Sequence, residues 1–304
     1  MLSVTFRRAC ALVASVAFVA TPAATPSQVS EPQLTFVRNG SIVLASPDLR
    51  SFAVYLAARP HGDGGRMSYW EPAWAPDGRT LAVVKSLEPP PNSLDHGQNP
   101  LAVLRPGLEE LWLSCSHCGA PSWSPDGGRF VLVTWSAFDP FAHGSLLIAD
   151  LPPEGRAEMP FRQLKTVDTD GSPAWSPDGA LIAFARAKTR LVRGERSAVA
   201  PRSLYVVPAA GGTATRLTKA AAKNPSWSPD GTQIAVDDGR RIGIVARTGG
   251  PIRYIAAGWN PAWSPDGQTI AYVKNKSVWV VEPDGNRPRL VATNASEPTW
   301  RPAP

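Results

Sequence analysis

Apolar residues along this chain come in short continuous runs, and each run follows a cluster of Ser, Pro, Asp and Gly. Leu181-Ile182-Ala183-Phe184 and Ile270-Ala271-Tyr272-Val273 are two of them. A short run bounded by turn residues predicts a strand covered on both faces, because a helix needs a longer stretch to bury one side. The unit is least interrupted from Asn260 to Thr293. There Pro261-Ala262-Trp263 predicts a short strand, Ser264-Pro265-Asp266-Gly267 a turn, and Thr269 to Lys274 a strand. Asn275-Lys276 follows as a tight turn, Ser277 to Val281 as a strand, Pro283-Asp284-Gly285 as a turn, and Pro288 to Thr293 as a fourth strand. Four antiparallel strands make one propeller blade.

The pattern recurs along the whole chain. Trp-Ser-Pro-Asp-Gly stands at Trp123, Trp175, Trp227 and Trp263, with Ala for Ser at Trp74, and is cut down to Trp300-Arg301-Pro302 near the C-terminus. Self-similarity at this interval marks a repeat architecture, in which one unit cannot bury its own apolar faces and is stacked. Pro suits the second position of a type I turn, Asp bonds nearby amides, and Gly takes the left-handed conformation that closes the hairpin. Asp77, Asp126, Asp178, Asp230 and Asp266 are therefore read as turn formers. A proline lies two places before each Trp, at Pro72, Pro121, Pro173, Pro225, Pro261 and Pro298. Proline cannot donate to a ladder, so this strand is expected at a sheet edge facing the central channel. Fourth strands carry cations such as Arg216, Arg253 and Arg289, which suit an outer edge.

Six Trp motifs predict six inner strands, yet the last is followed by only a few residues. The missing strands are expected at the other end of the chain. Leu34-Thr35-Phe36-Val37-Arg38-Asn39 echoes Ile270-Ala271-Tyr272-Val273-Lys274-Asn275, so Gln33 to Asn39, Ser41 to Asp48 and Ser51 to Ala58 read as second, third and fourth strands lacking a first. The expected fold is all-β: a six-bladed β-propeller over residues 31–304, closed by one C-terminal strand paired with three N-terminal ones.

The repeated PxWSPDG followed by an apolar strand resembles the six-bladed propeller of the TolB family and the wider set of propellers sharing this WD40-like repeat. The resemblance covers nearly all of the chain after residue 30 and implies a fold rather than an activity. TolB carries an α/β domain ahead of its propeller, and prolyl oligopeptidase-type peptidases join similar propellers to a hydrolase domain. Neither addition is expected in this chain.

Residues 1–30 read as a signal peptide and short linker. Arg7 and Arg8 are a basic start, Cys10 to Ala20 is an apolar run too short for a stable span, and Thr21-Pro22-Ala23-Ala24 offers small residues for cleavage. An uncleaved anchor is the alternative. Removal of this segment takes the formal charge from +6 to +4, too modest to imply nucleic acid. A periplasmic or secreted protein is expected, monomeric and without a membrane span after signal removal.

Candidate chemistry is sparse. G-x-S-x-G, Walker-type and HExxH motifs are absent. Long second-to-third loops, Glu88 to Pro100, Ala137 to Gly144 and Arg190 to Arg202, gather on one face, the usual seat of binding on a rigid scaffold. His61, His96, His117 and His143 fall on that face, with Asp63, Asp95 and Asp139 near them in sequence. With these carboxylates they could hold a divalent metal, as the resemblance to pectin-degrading lyases with related propellers implies. Otherwise they are polar loop residues, and no cofactor is needed. Cys115 and Cys118 have C-x-x-C spacing without a predicted helix, so an intraloop disulfide is expected after export, with metal binding or free thiols as alternatives. Trp70 and Trp259 precede inner strands and offer either ligand-facing surfaces or core packing. Arg190, Arg193, Arg196 and Arg202 form a basic loop, either solvated or facing an anionic partner. These features point to a non-catalytic propeller holding a protein, peptide or envelope polymer on its loop-rich face. The alternative is a metal-dependent carbohydrate-active enzyme using the four histidines.

Overall fold

Six antiparallel blade sheets, five of four strands and one of five, stand around a central axis in a computed structural model that describes residues 33–60, 65–88, 100–107, 111–113, 118–134, 144–151, 160–164, 169–192, 195–198 and 201–303. The sheet that closes the ring has the order Ser296–Arg301, Gln33–Arg38, Ser41–Ala45, Phe52–Leu56. Leu34 pairs with Trp300 and Thr35 with Thr299, so the last strand and the first share one ladder, as expected. The Trp74 blade runs Arg66–Trp74, Leu81–Glu88, Leu101–Leu104 and Leu111–Leu113, and gains a two-residue strand, Arg59–Pro60, beside the start of its inner strand. The Trp123 blade runs from the inner strand Cys118–Trp123 to Phe161–Gln163, and the Trp175 blade from Thr169–Trp175 to Thr215–Arg216. The Trp227 blade runs from Lys223–Trp227 to Arg253–Ala257, and the Trp263 blade from Trp259–Trp263 to Arg289–Thr293.

The core lies between blades. Six separate clusters of buried apolar side chains fill the six boundaries, one to each. Phe130 and Leu132 of the Trp123 blade, for example, meet Val84, Leu101 and Val103 of the blade before it. Second strands carry most of this burial. Phe36, Leu81, Phe130, Ile182, Ile234 and Ile270 are fully enclosed, as runs covered on both faces must be. Each such side chain removed from water contributes about 1.5–3 kcal/mol, so neighbouring blades are held to each other chiefly by apolar contact.

The pentad serves the boundaries as well as its own turn. Within the turn, the hydroxyls of Ser124, Ser176, Ser228 and Ser264 donate to the Asp two places on at 2.5–2.6 Å, and each Gly amide returns to the Ser carbonyl. Between turns, the pentad Gly of one blade faces the pentad Pro of the preceding blade. A Cβ at Gly179 would stand 3.2 Å from Pro125 Cγ, and one at Gly267 3.2 Å from Pro229 Cγ; both glycines have φ near +70°. The Trp indole bridges the same gap. Trp123, Trp227 and Trp300 donate Nε1–H to the carbonyls of Ala73, Ala174 and Ala262 in the preceding blade at 2.9–3.1 Å. Where Ser replaces that Ala, the serine hydroxyl takes the backbone amide of the next Trp instead. Ser122 Oγ accepts from Trp175 N–H and Ser226 Oγ from Trp263 N–H.

Two details depart from the sequence reading. The stretch from Arg190 to Arg202 is the long connection between second and third strands, as expected, but it contains a hairpin in which Thr189–Val192 pairs with Glu195–Ala198. The outer strand of the closing sheet, Phe52–Leu56, has no cation of the kind that Arg162, Arg216, Arg253 and Arg289 give four of the other outer strands, and Phe52, Val54 and Tyr55 are exposed.

Candidate functional site

A cavity of about 790 Å³ runs along the propeller axis. Its wall repeats one motif six times. In every inner strand two residues oppose one on the second strand: Glu71-Pro72, Ala120-Pro121, Ser172-Pro173, Asn224-Pro225, Asn260-Pro261 and Glu297-Pro298. The single residues opposite are Val83, Leu132, Phe184, Val236, Tyr272 and Phe36, all essentially buried. This is a β-bulge, and it turns the residue before each proline toward the axis. All six of those residues have a left-handed backbone, with φ between 48° and 54°. None is glycine, so each position stores about 1–3 kcal/mol that the surrounding ring must hold in place. The prolines line the cavity as expected, because the face turned to the axis has no ladder to donate to.

The bulged residues are joined across blades by hydrogen bonds in two arcs. In the first, Glu297 Oε2 accepts the amide of Glu71 at 2.5 Å, and Glu71 Oε2 accepts the amide of Ala120 at 2.5 Å. In the second, Ser172 Oγ donates to Asn224 Oδ1 at 2.7 Å, and Asn224 Nδ2 donates to Asp237 Oδ2 at 2.8 Å. Asp237 is fully buried; its Oδ2 also accepts the amide of Asn260 at 3.0 Å and its Oδ1 the amide of Gly239 at 2.8 Å.

Among the described lining residues, Glu71 and Glu297 are the ionisable ones. Burial pushes the Glu297 carboxyl up to about 7, with the neighbouring Glu71 charge raising it and the Glu71 amide opposing. Burial also raises Glu71, partly offset by the amide of Ala120. Asp77, Asp126, Asp178 and Asp230 of the pentads are shifted the opposite way. Asp178 is held down at about 2 by the Ser176 hydroxyl, the Ala180 amide and Arg247, the profile of an anchored turn carboxylate rather than a proton carrier.

The residues singled out in the sequence are dispersed. Trp259 lines the cavity and is 38% exposed, so one indole does present a face at the channel. Trp70 is partly buried against the apolar clusters on either side of its blade, with Nε1 donating to Ser68 Oγ at 3.0 Å. Arg190 and Arg196 stand on the two strands of the added hairpin, at adjacent register positions. Cys118 begins an inner strand, is disulfide-bonded and is 2% exposed. His61, His96, His117, His143, Cys115 and Arg193 lie outside the described residues, as do Asp63, Asp95 and Asp139. Among the described residues no group of three His, Cys, Asp or Glu is placed to hold a metal ion, and no helix is long and apolar enough to cross a membrane.

Glu71, Glu297, Asn224 and Asn260 were not anticipated. The signal available was the residue before the repeated proline. Two of the six are Asn, the residue that best tolerates a left-handed backbone after glycine, which marks the position as conformationally special.

Comparison with known proteins agrees with this geometry. The family model described as the TolB beta propeller domain matches residues 109–303. The fold is similar to TolB from Acinetobacter baumannii, with a TM-score of 0.67 at 20% identity over 91% of this chain and 68% of that one. It is also similar to a putative TolB from Agrobacterium tumefaciens, with a TM-score of 0.58 at 18% identity over 86% and 88%. A puromycin-hydrolysing peptidase of Mycobacterium tuberculosis shares the fold at a TM-score of 0.55 and 16% identity, over 86% of this chain and 45% of the peptidase. Likeness at these identities carries the fold and not the activity. With more than half of its length matched by the family model and its ring closed by a shared sheet, this chain belongs to the TolB β-propeller family.

Proposed function

We propose that this protein is an exported, non-catalytic binding propeller that engages a protein, peptide or envelope polymer through its loop-rich face and channel mouth. The observation that carries this reading is the cavity itself. It is preformed by six rigid bulges, presents the exposed indole of Trp259, and is lined by amide, hydroxyl and carboxyl groups. Its two carboxyls accept backbone amides of neighbouring blades, an arrangement that positions strands.

Selection of a random peptide library on the immobilised protein, followed by titration of the enriched peptides, tests the reading. Trp259→Ala is expected to weaken those peptides at least tenfold, whereas Arg247→Ala on the pentad face leaves them unchanged. Peptides insensitive to Trp259→Ala but lost with Arg247→Ala would move the contact to the opposite face and overturn the assignment.

A further inference from the structure

The strand that closes the ring carries Glu297, and the hydrogen bond from the Glu71 amide to the Glu297 carboxyl crosses the seam between the closing sheet and the Trp74 blade. Glu71 carries the connection onward to Ala120 in the Trp123 blade. Two carboxyls in series thus tie three consecutive inner strands together, each gripping an amide of a left-handed bulge. The surrounding cations are engaged elsewhere. Arg38 lies over the rings of Phe36 and Phe52, Arg66 donates to the Asn39 carbonyl, and Arg301 donates to the Gly78 carbonyl. Lys274 lies over Trp279, Arg129 over Trp175 and beside Asp126, and Arg186 binds Asp170 through two hydrogen bonds. Neither these nor Lys85 on the neighbouring second strand forms an ion pair with Glu71 or Glu297 among the described residues.

We propose that the Glu297–Glu71 relay is a proton-controlled latch on ring closure, fastened while the pair holds a proton and slackened at the seam when both carboxyls ionise. Burial deprives both carboxylates of hydration without a counter-ion beside them, and the charge of Glu71 adds repulsion at Glu297. A proton on one removes the repulsion and leaves that group a carbonyl oxygen that still accepts the facing amide. The raised affinity of both groups for protons has the same sign: opening the seam exposes them to water, where they release the proton. Acid therefore holds the ring shut, and a rise through neutrality loosens it. This device acts whatever the channel mouth binds.

Amide hydrogen exchange of the full chain, resolved at Glu71 and Ala120, tests the latch between pH 6 and 8.5 after division by the intrinsic rate at each pH. In the wild type, protection of both amides is expected to fall about tenfold as pH rises, while the Val236 amide across the ring keeps its protection. Glu297→Gln retains the acceptor and removes the charge, so its profile is expected to be flat. Glu297→Ala, which removes the acceptor, is expected to lower protection at every pH without a pH step. Flat wild-type profiles at both amides would overturn the proposal without recourse to any variant. So would a decline in Glu297→Gln equal to that of the wild type.

Discussion

Glu297 sits where an ionised carboxylate loses most of its hydration and gains one amide in return, so its cost to the fold depends on pH. Its folded value of about 7 lies above the ordinary 4.5. Below 4.5 both folded and unfolded forms are protonated and the group is neutral to stability. Between 4.5 and 7 the unfolded chain ionises first, so stability falls as pH rises, and above 7 the loss is complete. The displacement corresponds to about 3 kcal/mol at most. Glu297→Gln should therefore unfold at a higher urea concentration than the wild type at pH 8 and at a similar one at pH 4.5, as read from the midpoints of denaturation. Little of this was legible in the sequence. Glu71 and Glu297 are 226 positions apart, and neither belongs to a motif that names a chemistry. Their meeting follows from circular closure, which puts the first complete blade beside the last strand.

At the scale of the strand and turn, the repeat was read well because its chemistry is local. Ser, Pro, Asp and Gly act within one hairpin, and apolar runs become second strands without help from distant residues. The bulges were not read, because Glu, Ala, Ser and Asn share no side-chain property that would betray a common left-handed backbone. The same physics makes one position improvable. Ala120 has φ 50° and no side-chain hydrogen bond to offset its strain, whereas its amide carries the bond to Glu71. Ala120→Gly removes a Cβ penalty of about 1–2 kcal/mol against an entropic cost of about 0.5–1 kcal/mol. A small gain in stability, up to about 1 kcal/mol, is expected in urea unfolding, with the Ala120 amide still protected. The hairpin inside the basic connection from Arg190 onward escapes the sequence reading for the opposite reason. Its length suggested a loop, but Thr189–Val192 and Glu195–Ala198 satisfy each other's backbone groups and form a ribbon of their own.

For the molecule as a whole, the boundary clusters make each blade depend on two neighbours, and the shared sheet makes the ring depend on its final strand. A chain ending before Ser296 loses the partner of Gln33–Arg38, the indole bond from Trp300 to Ala262, and the guanidinium of Arg301 that lies over Trp74 at 4.8 Å. Such a chain is expected to melt at a lower temperature and in more than one step, and to self-associate through the bared edge of Gln33–Arg38. A peptide spanning residues 294–304, added in excess, should restore a single transition; calorimetry with and without the peptide reads both outcomes. The same arrangement orders events during synthesis. Gln33–Arg38, Ser41–Ala45 and Phe52–Leu56 are made before the other five blades, but the strand that seats against them is made after all five. Five intervening blades are translated before the first three strands can be covered, so the newborn polypeptide carries an unshielded hydrophobic edge throughout its elongation and becomes self-protecting only as translation reaches Arg301.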